Sequence, residues 1–500
     1  MSSTTSLHDK EKLALDANCS VLAANPQGPE VDEIDPIMNR RVRNKIDRTV
    51  LVIFTLIYMF QYLDKIALSC LNKDAAIFGM KKDLHLVGQD YSWSASSFYF
   101  GQLGFEYIAI YLLHRLPIKK FVGVSILCWG VVMMSMAAAS NFAGMVVVRV
   151  ILGMAEGAVA PAFVILVSIW YTKAEQPLRI ATFVSANAMA QIVGGLLLYG
   201  CGSIKGAAIA GFRISYLIAG GVTILLGAIF MVVVPLSPST AWFLNPEERI
   251  VATKRVAREH ASAEHSNFSW PQAIATLKDP SFYLIFLWAF FVCITSVVTF
   301  GSIVISGLGF DSFRTILVGL PGPAIQLATI WIGVAAIAIF PNQRGLVQTA
   351  LISVPLAGVI VLKTLPYEHK WALTGAYWLA TCNSSVFVIN MSLISSNFKG
   401  HTRKTMCSVV YFIGYCVGCI CGPQLFISTE SPLYPTAMKT IIAMYVCYIV
   451  AQLAYRQLCS RENNRRDRLA AEGVAEAVAR PAGAEDNSTD LEDLGFRYVL

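Results

Sequence analysis

Charge is scarce in this chain. Only 14% of its 500 residues are Asp, Glu, Lys or Arg, while 55% are hydrophobic. Soluble globular chains carry about 25% charged residues, so the deficit argues against a soluble enzyme. Histidine is scarce too, at seven residues, with none inside an apolar run. That bears on the 12 cysteines, most of which, such as Cys128, Cys201, Cys293 and Cys447, do lie inside apolar runs. They read as small hydrophobes. The dense trio Cys416, Cys419 and Cys421 has no histidine to complete a mixed zinc set, so no metal and no cofactor are expected. "REHASAEH" (258–265) is not HExxH. The chain has no G-x-x-x-x-G-K-[ST] and no G-x-S-x-G, which argues against ATP-driven transport and against a serine hydrolase. Its basic flanks lack interleaved aromatics, so no nucleic-acid partner is expected.

Long apolar runs are abundant. A helix needs about 20 apolar residues to cross the hydrocarbon. Twelve runs qualify: 49–71, 91–113, 120–139, 143–171, 180–202, 212–234, 281–303, 313–338, 347–364, 371–394, 405–427 and 434–456. They are continuous rather than alternating, which excludes a barrel. The expected fold is an all-α polytopic membrane protein with twelve transmembrane helices in two six-helix bundles. Its expected parts are a largely disordered tail at 1–48, a bundle at 49–234, a linker at 235–280 with one short helix, a bundle at 281–456, and a largely disordered tail at 457–500. No removable signal peptide is expected, because the first apolar run follows "RRVRNKIDR" and serves as the insertion signal itself.

Positive charge sets the orientation. Arg40, Arg41, Arg43, Lys45 and Arg48 precede span one, and Arg115, Lys119 and Lys120 follow span two. Lys173 and Arg179 follow span four, Lys399, Arg403 and Lys404 follow span ten, and Arg456, Arg461, Arg465, Arg466 and Arg468 follow span twelve. Opposite loops are poorer, with Lys73, Lys81 and Lys82 as the exception. Both termini are therefore expected in the cytoplasm. The halves echo each other: "LHRLPIKKFVG" follows span two and "FPNQRGLVQ" follows span eight. Such repeats typify transporters that rock about a midplane site.

A charge inside a span costs about 2.5–3.5 kcal/mol on insertion scales and is a functional candidate by default. The candidates are Asp64 and Lys65 in span one, Glu106 in span two, and Arg149 and Glu156 in span four. On an ideal helix Arg149, Gly153, Glu156 and Ala160 share an arc of about 60°, and the two charges lie about 10 Å apart. Each therefore meets a partner on another helix. Asp64 and Lys65 diverge by about 100° and cannot serve one partner. Two readings stay open: an anion contact at Arg149 with proton carriers at Asp64, Glu106 or Glu156, or an interhelical ion-pair lock. Lys65 has the further option of reaching the membrane interface. Uncharged polar candidates for substrate contact are Asn187, Gln191, Asn383, Asn390, Tyr415 and Gln424. Each also suits a hydrogen bond between helices. Gly414, Gly418 and Gly422 recur every four residues and read as a close helix contact, which Pro423 then bends.

Several stretches carry a resemblance: "YLDK" (62–65), "FGMKKDLHLVGQDYSW" (78–93), "LGMAEGAVAPAF" (152–163), "WYTKAEQPLR" (170–179), "GFDSFRTILVGLP" (309–321), "FPNQRG" (340–345), "SNFKGHTRKTM" (396–406) and "GPQLF" (422–426). With the basic turn after span two and Arg149-x-x-x-Gly153, they resemble the major facilitator superfamily, and within it the fungal allantoate permease group of anion:cation symporters. The resemblance implies import of a small organic anion, such as allantoate, nicotinate or pantothenate, together with protons. It implies Asp64, Arg149 and Glu156 in matching positions, and a cavity between spans one, four, seven and ten. The chain departs from the group at "EYIAI" (106–110), at "CITSVVTFG" (293–301) and at Cys419, where polar residues are usual.

The resulting expectation is a monomeric secondary transporter of the plasma membrane, not an enzyme, taking up a small organic anion with protons by alternating access. Export of a secreted metabolite in exchange for protons is the alternative. Span five reads "AQIVGGLLLYG", without the proline common in antiporters of that superfamily. A non-transporting nutrient sensor is the reading from another class.

Overall fold

The computed structural model describes residues 35–67, 83–172, 175–204, 209–260, 268–295, 305, 307–340, 342–366, 368–430, 434–472 and 489–500. The first 34 residues, Lys73, Lys81, Lys82, Lys173 and the tail segment 473–488 lie outside the described residues.

Among the described residues every element is helical. Span one comprises α1 (Pro36–Ile46), a π-helical turn (Asp47–Leu51) and α2 (Val52–Ala67). Spans two and three are α3 (Asp90–Arg115) and α4 (Ile118–Ser135). Span four is α5 (Phe142–Gly157) followed by α6 (Val159–Trp170). Spans five and six are α7 (Gln176–Ser203) and α8 (Gly211–Val233). The linker holds α9 (Pro246–His260) and α10 (Trp270–Lys278). Span seven begins with α11 (Pro280–Cys293), and span eight is α12 (Ser312–Gly319) with α13 (Pro321–Ile339). Span nine is α14 (Arg344–Thr364), and span ten is α15 (Lys370–Ala380) with α16 (Ser384–Asn397). Spans eleven and twelve are α17 (His401–Cys421) and α18 (Pro435–Ala471).

Ten of these segments are long and apolar enough to cross a membrane, or eleven if the bent pair α10–α11 is one span. The remaining pass is α3. Its 26 residues reach about 39 Å, but Ser92, Ser94, Ser96, Ser97, Gln102 and Glu106 dilute its apolar content. The break in span four follows from Pro161, which has no N–H to offer the Gly157 carbonyl. Glu156 thus sits beside a helix joint. Past Cys421 the chain tightens into a 3-10 turn at Gly422–Leu425, which contains Pro423.

The halves repeat one packing plan. Span two packs on four, three on six, and one on five. In the second half span eight packs on ten, nine on twelve, and seven on eleven. Between halves, span two meets eleven and span five meets eight, each crossing the image of the other. Spans two and four are almost backbone to backbone. A Cβ at Gly153 would lie 2.0 Å from the Phe98 carbonyl oxygen, and one at Gly101 would lie 2.0 Å from that of Val150. Gly153→Ala should therefore lower the melting temperature of the solubilised protein, at an overpacking cost of about 1–3 kcal/mol. An unchanged melting curve would show that α3 and α5 can separate freely. In span eleven, a Cβ at Gly414 would lie 2.4 Å from the Phe286 carbonyl oxygen, so that close contact is with α11.

Three expectations need correction. Helix begins at Pro36, well inside the stretch expected to be disordered. Asp35 caps it by accepting from the Ile37 N–H at 3.0 Å, and Val42 and Ile46 are buried one turn apart. The linker holds two helices rather than one, because α9 and α10 serve different halves. Helix α9 belongs to the first half: Lys45 Nζ donates to both Glu248 carboxylate oxygens at 2.8 and 2.7 Å, and Arg255 Nη2 donates to Glu175 at 2.5 Å. Helix α10 packs on α17 in the second half.

The third correction concerns the tail after 457. Helix α18 runs on to Ala471, and residues 489–500 are packed against the linker end of the second half. Asp490 is completely buried. Arg403 Nε and Nη2 donate to its two oxygens at 2.8 and 3.1 Å, and Nη2 also donates to Asp279. Tyr498 donates to Asp490 Oδ2 at 2.7 Å, and Arg466 donates to the Asp490 carbonyl at 2.7 Å. Asn397 and Val499 exchange hydrogen bonds of 2.9 and 2.8 Å, and the Gly345 N–H donates to the Leu500 carbonyl at 3.2 Å. The tail looks solvated in sequence because its partners lie on α14, α16, α17 and α18, far away along the chain.

Candidate functional site

The five intramembrane charges converge between α2, α3 and α5. Lys65 Nζ stands 3.0 Å from Glu156 Oε1, with the glutamate side chain fully buried and the lysine 15% exposed. The same ammonium lies 5.4 Å from the centre of the Phe98 ring. It is therefore held in the protein rather than at the membrane interface. Asp64 turns to another helix, where its Oδ2 accepts from Trp129 Nε1 at 2.6 Å. The two neighbours thus have different partners, as their helical divergence requires.

Arg149 is 2% exposed, and its Nε and Nη2 have no hydrogen-bond partner among the described residues. Its charge acts on both Asp64 and Glu156. Glu106 is buried, and its Oε2 has no hydrogen-bond partner among the described residues. Nε and Nη2 form one edge of a guanidinium, the edge that matches a carboxylate. This chain uses that edge twice elsewhere. Arg179 presents Nε and Nη2 to Asp47 at 3.2 and 2.8 Å, and Arg403 presents them to Asp490. In Arg149 alone of these three the same edge is buried and unengaged.

The uncharged candidates separate into groups. Gln191 donates to Gln326 at 2.7 Å, and Gln326 donates to Ser384, so spans five, eight and ten are linked. Gln424 donates to Ser96 at 3.1 Å, and Ser96 donates to the Ile420 carbonyl at 2.7 Å, linking spans two and eleven. Both links join the halves at or beyond mid-span, away from the linker. Tyr415 stacks on Phe412 within its own helix and meets Tyr99 of the other half edge-on at 5.9 Å. Asn187 is half-buried with Oδ1 unpartnered among the described residues. Asn383 donates to Thr295 at 3.3 Å. Asn390 is elsewhere: Gln348 and Tyr448 donate to its Oδ1 at 2.8 and 3.0 Å, and its Nδ2 reaches Tyr411 at 3.4 Å. That buried knot fastens spans nine to twelve and leaves Asn390 little capacity for a ligand.

Sequence reasoning missed Trp129, Gln61 and Gln326. Trp129 reads as an apolar residue, yet a buried indole N–H needs an acceptor, which Asp64 supplies. Gln61 is buried one turn before Lys65, on the same face of α2.

A family model described as the Major Facilitator Superfamily matches residues 52–423. The chain belongs to that superfamily. An uncharacterized transporter of Schizosaccharomyces pombe is 35% identical, over 94% of this chain and 91% of its own length. The allantoate permease of Saccharomyces cerevisiae is 30% identical, over 94% of this chain and 88% of its own. Among solved structures, the E. coli xylose transporter in a partially occluded inward open conformation aligns with a TM-score of 0.62. It covers 81% of this chain and 97% of its own at 12% identity, a likeness of fold alone. As a superfamily member the chain is a multi-pass membrane transporter for small molecules, not an enzyme.

Proposed function

We propose that this transporter takes up a small organic anion together with protons by alternating access. The observation that carries the reading is the buried Arg149 edge, a bidentate carboxylate donor pair beside the Lys65–Glu156 ion pair. The anion's carboxylate accepts from Arg149 Nε and Nη2. A proton arriving at Glu156 cancels its charge and releases Lys65, which then adds a second cation to the bound anion. Asp64, on the Trp129 indole, and Glu106 are the further proton acceptors. Asn187, Gln191, Asn383 and Tyr415 contact the neutral part of the substrate, while Gln424 and Ser96 close the far end.

The linker, both termini and the basic turns lie in the cytoplasm, and the state with the links at Ser96–Gln424 and Gln191–Gln326 formed is inward-facing. The membrane is the plasma membrane. One chain suffices for transport on this reading.

Labelled organic carboxylates offered to proteoliposomes, with and without an inward proton gradient, test the reading. Accumulation that follows the gradient is expected. Glu156→Gln should abolish gradient-driven accumulation while keeping exchange of labelled for unlabelled substrate. Accumulation indifferent to the gradient, or gradient-driven export without uptake, would overturn symport.

A further inference from the structure

Helix α10 is not a membrane span, yet it is joined to one. Only Asp279 separates its last residue, Lys278, from Pro280 at the start of α11, and the two helices meet at 70°. With α11 tilted about 20° from the bilayer normal, as spans are on average, α10 lies closer to the membrane plane than to the normal.

Its two faces differ. Gln272, Ala273 and Thr276 are buried, and the helix packs on α17. Trp270, Ile274 and Leu277 lie within about 60° on the helical wheel and are exposed, Trp270 by 72%. Phe268, also exposed, meets the Trp270 ring edge-on at 5.3 Å. At the other end Tyr283, exposed in the first turn of α11, donates its hydroxyl to the Leu277 carbonyl at 3.0 Å. The apolar stripe of α10 is therefore continuous with the outer surface of a membrane-crossing helix, and an exposed lysine, Lys278, stands at the junction.

The geometry points to α10 as a membrane-surface helix, with Phe268, Trp270, Ile274 and Leu277 seated at the boundary between lipid headgroups and acyl chains. Aromatic residues favour that depth, and short amphipathic helices bury one face there. The buried face connects this mooring to the second half: Ser269 N–H donates to Thr402 at 2.9 Å, and Asp279 accepts from Arg403. Helix α9 is tied by ion pairs to the first half instead. The lipid contact thus holds one half by its linker end.

The photo-crosslinking residue p-benzoylphenylalanine, placed singly at 270, 274 and 277 of the full chain in phosphatidylcholine–phosphatidylserine nanodiscs, tests this. Val450 on α18 serves as the lipid-facing control and Glu247 on α9 as the aqueous one, both exposed. Phospholipid adducts at 274 and 277 comparable to those at 450, with none at 247, are expected. Adducts at 450 but none at 274 and 277 would overturn the proposal, as would adducts at 274 and 277 formed with a second protein chain.

Discussion

Arg149→Lys should reduce uptake efficiency by about 10- to 100-fold. Lysine keeps the charge but removes the paired donors, and a hydrogen bond to a charged group contributes about 1.5–3 kcal/mol, where about 1.4 kcal/mol is tenfold. The loss should fall on initial uptake rates at low substrate concentration, with protein level and melting temperature near those of the parent. Lysine is also a compact point charge and cannot reproduce the planar fork. Normal uptake by the variant would show that the carboxylate does not bind edge-on at this residue. The prediction depends on Nε and Nη2 being unengaged, since an arginine already committed to Asp64 or Glu156 would be a structural lock instead.

Asp490→Ala should destabilise the protein by about 3–5 kcal/mol, the usual result of leaving a buried partner charge unpaired. Arg403 is 1% exposed in its side chain and would keep only Asp279. The same change strands Tyr498 and the Lys399 N–H, which also bond to that carboxylate. A lower melting temperature and faster proteolysis after the end of α18 are the expected readouts. If melting is unchanged, residues 489–500 rest on the bundle without holding it. Because Arg149 and Asp490 lie in different halves, their effects should be separable: the first changes transport at constant stability, the second changes stability first.

The spans were legible because bilayer thickness imposes a run length that a sequence displays directly. The charged candidates were legible for a related reason, since an ionised side chain stands out against an apolar background. Their partners were not. Which of Asp64 and Lys65 faces Glu156 depends on the rotation of α2 against α5, and a single chain's sequence does not encode that angle in any local pattern. Asn390 looked equivalent to Asn383, yet four helices converge on one and a helix joint presents the other. Trp129 was hidden because indole counts as apolar until its N–H must be satisfied. The tail failed for the opposite reason. Its composition is that of a solvated segment, and nothing local in the sequence pairs it with Asn397, Arg403 and Arg466, the residues that order it.

All five intramembrane charges ride on α2, α3 and α5 of the first half. In the second half the described mid-span residues are uncharged. Three carboxylates against two cations leave one formal negative charge when every group is ionised, and on the proposed cycle that charge moves relative to the bilayer as the half rocks. An elementary charge crossing the full field is worth about 2.3 kcal/mol per 100 mV. One bound proton then makes this intramembrane set neutral, and a monovalent substrate anion calls for a second. On the proposed symport cycle, the step at which the membrane voltage acts is set by how many protons accompany the anion, and a voltage-jump recording of the substrate-free protein tests whether that charge moves.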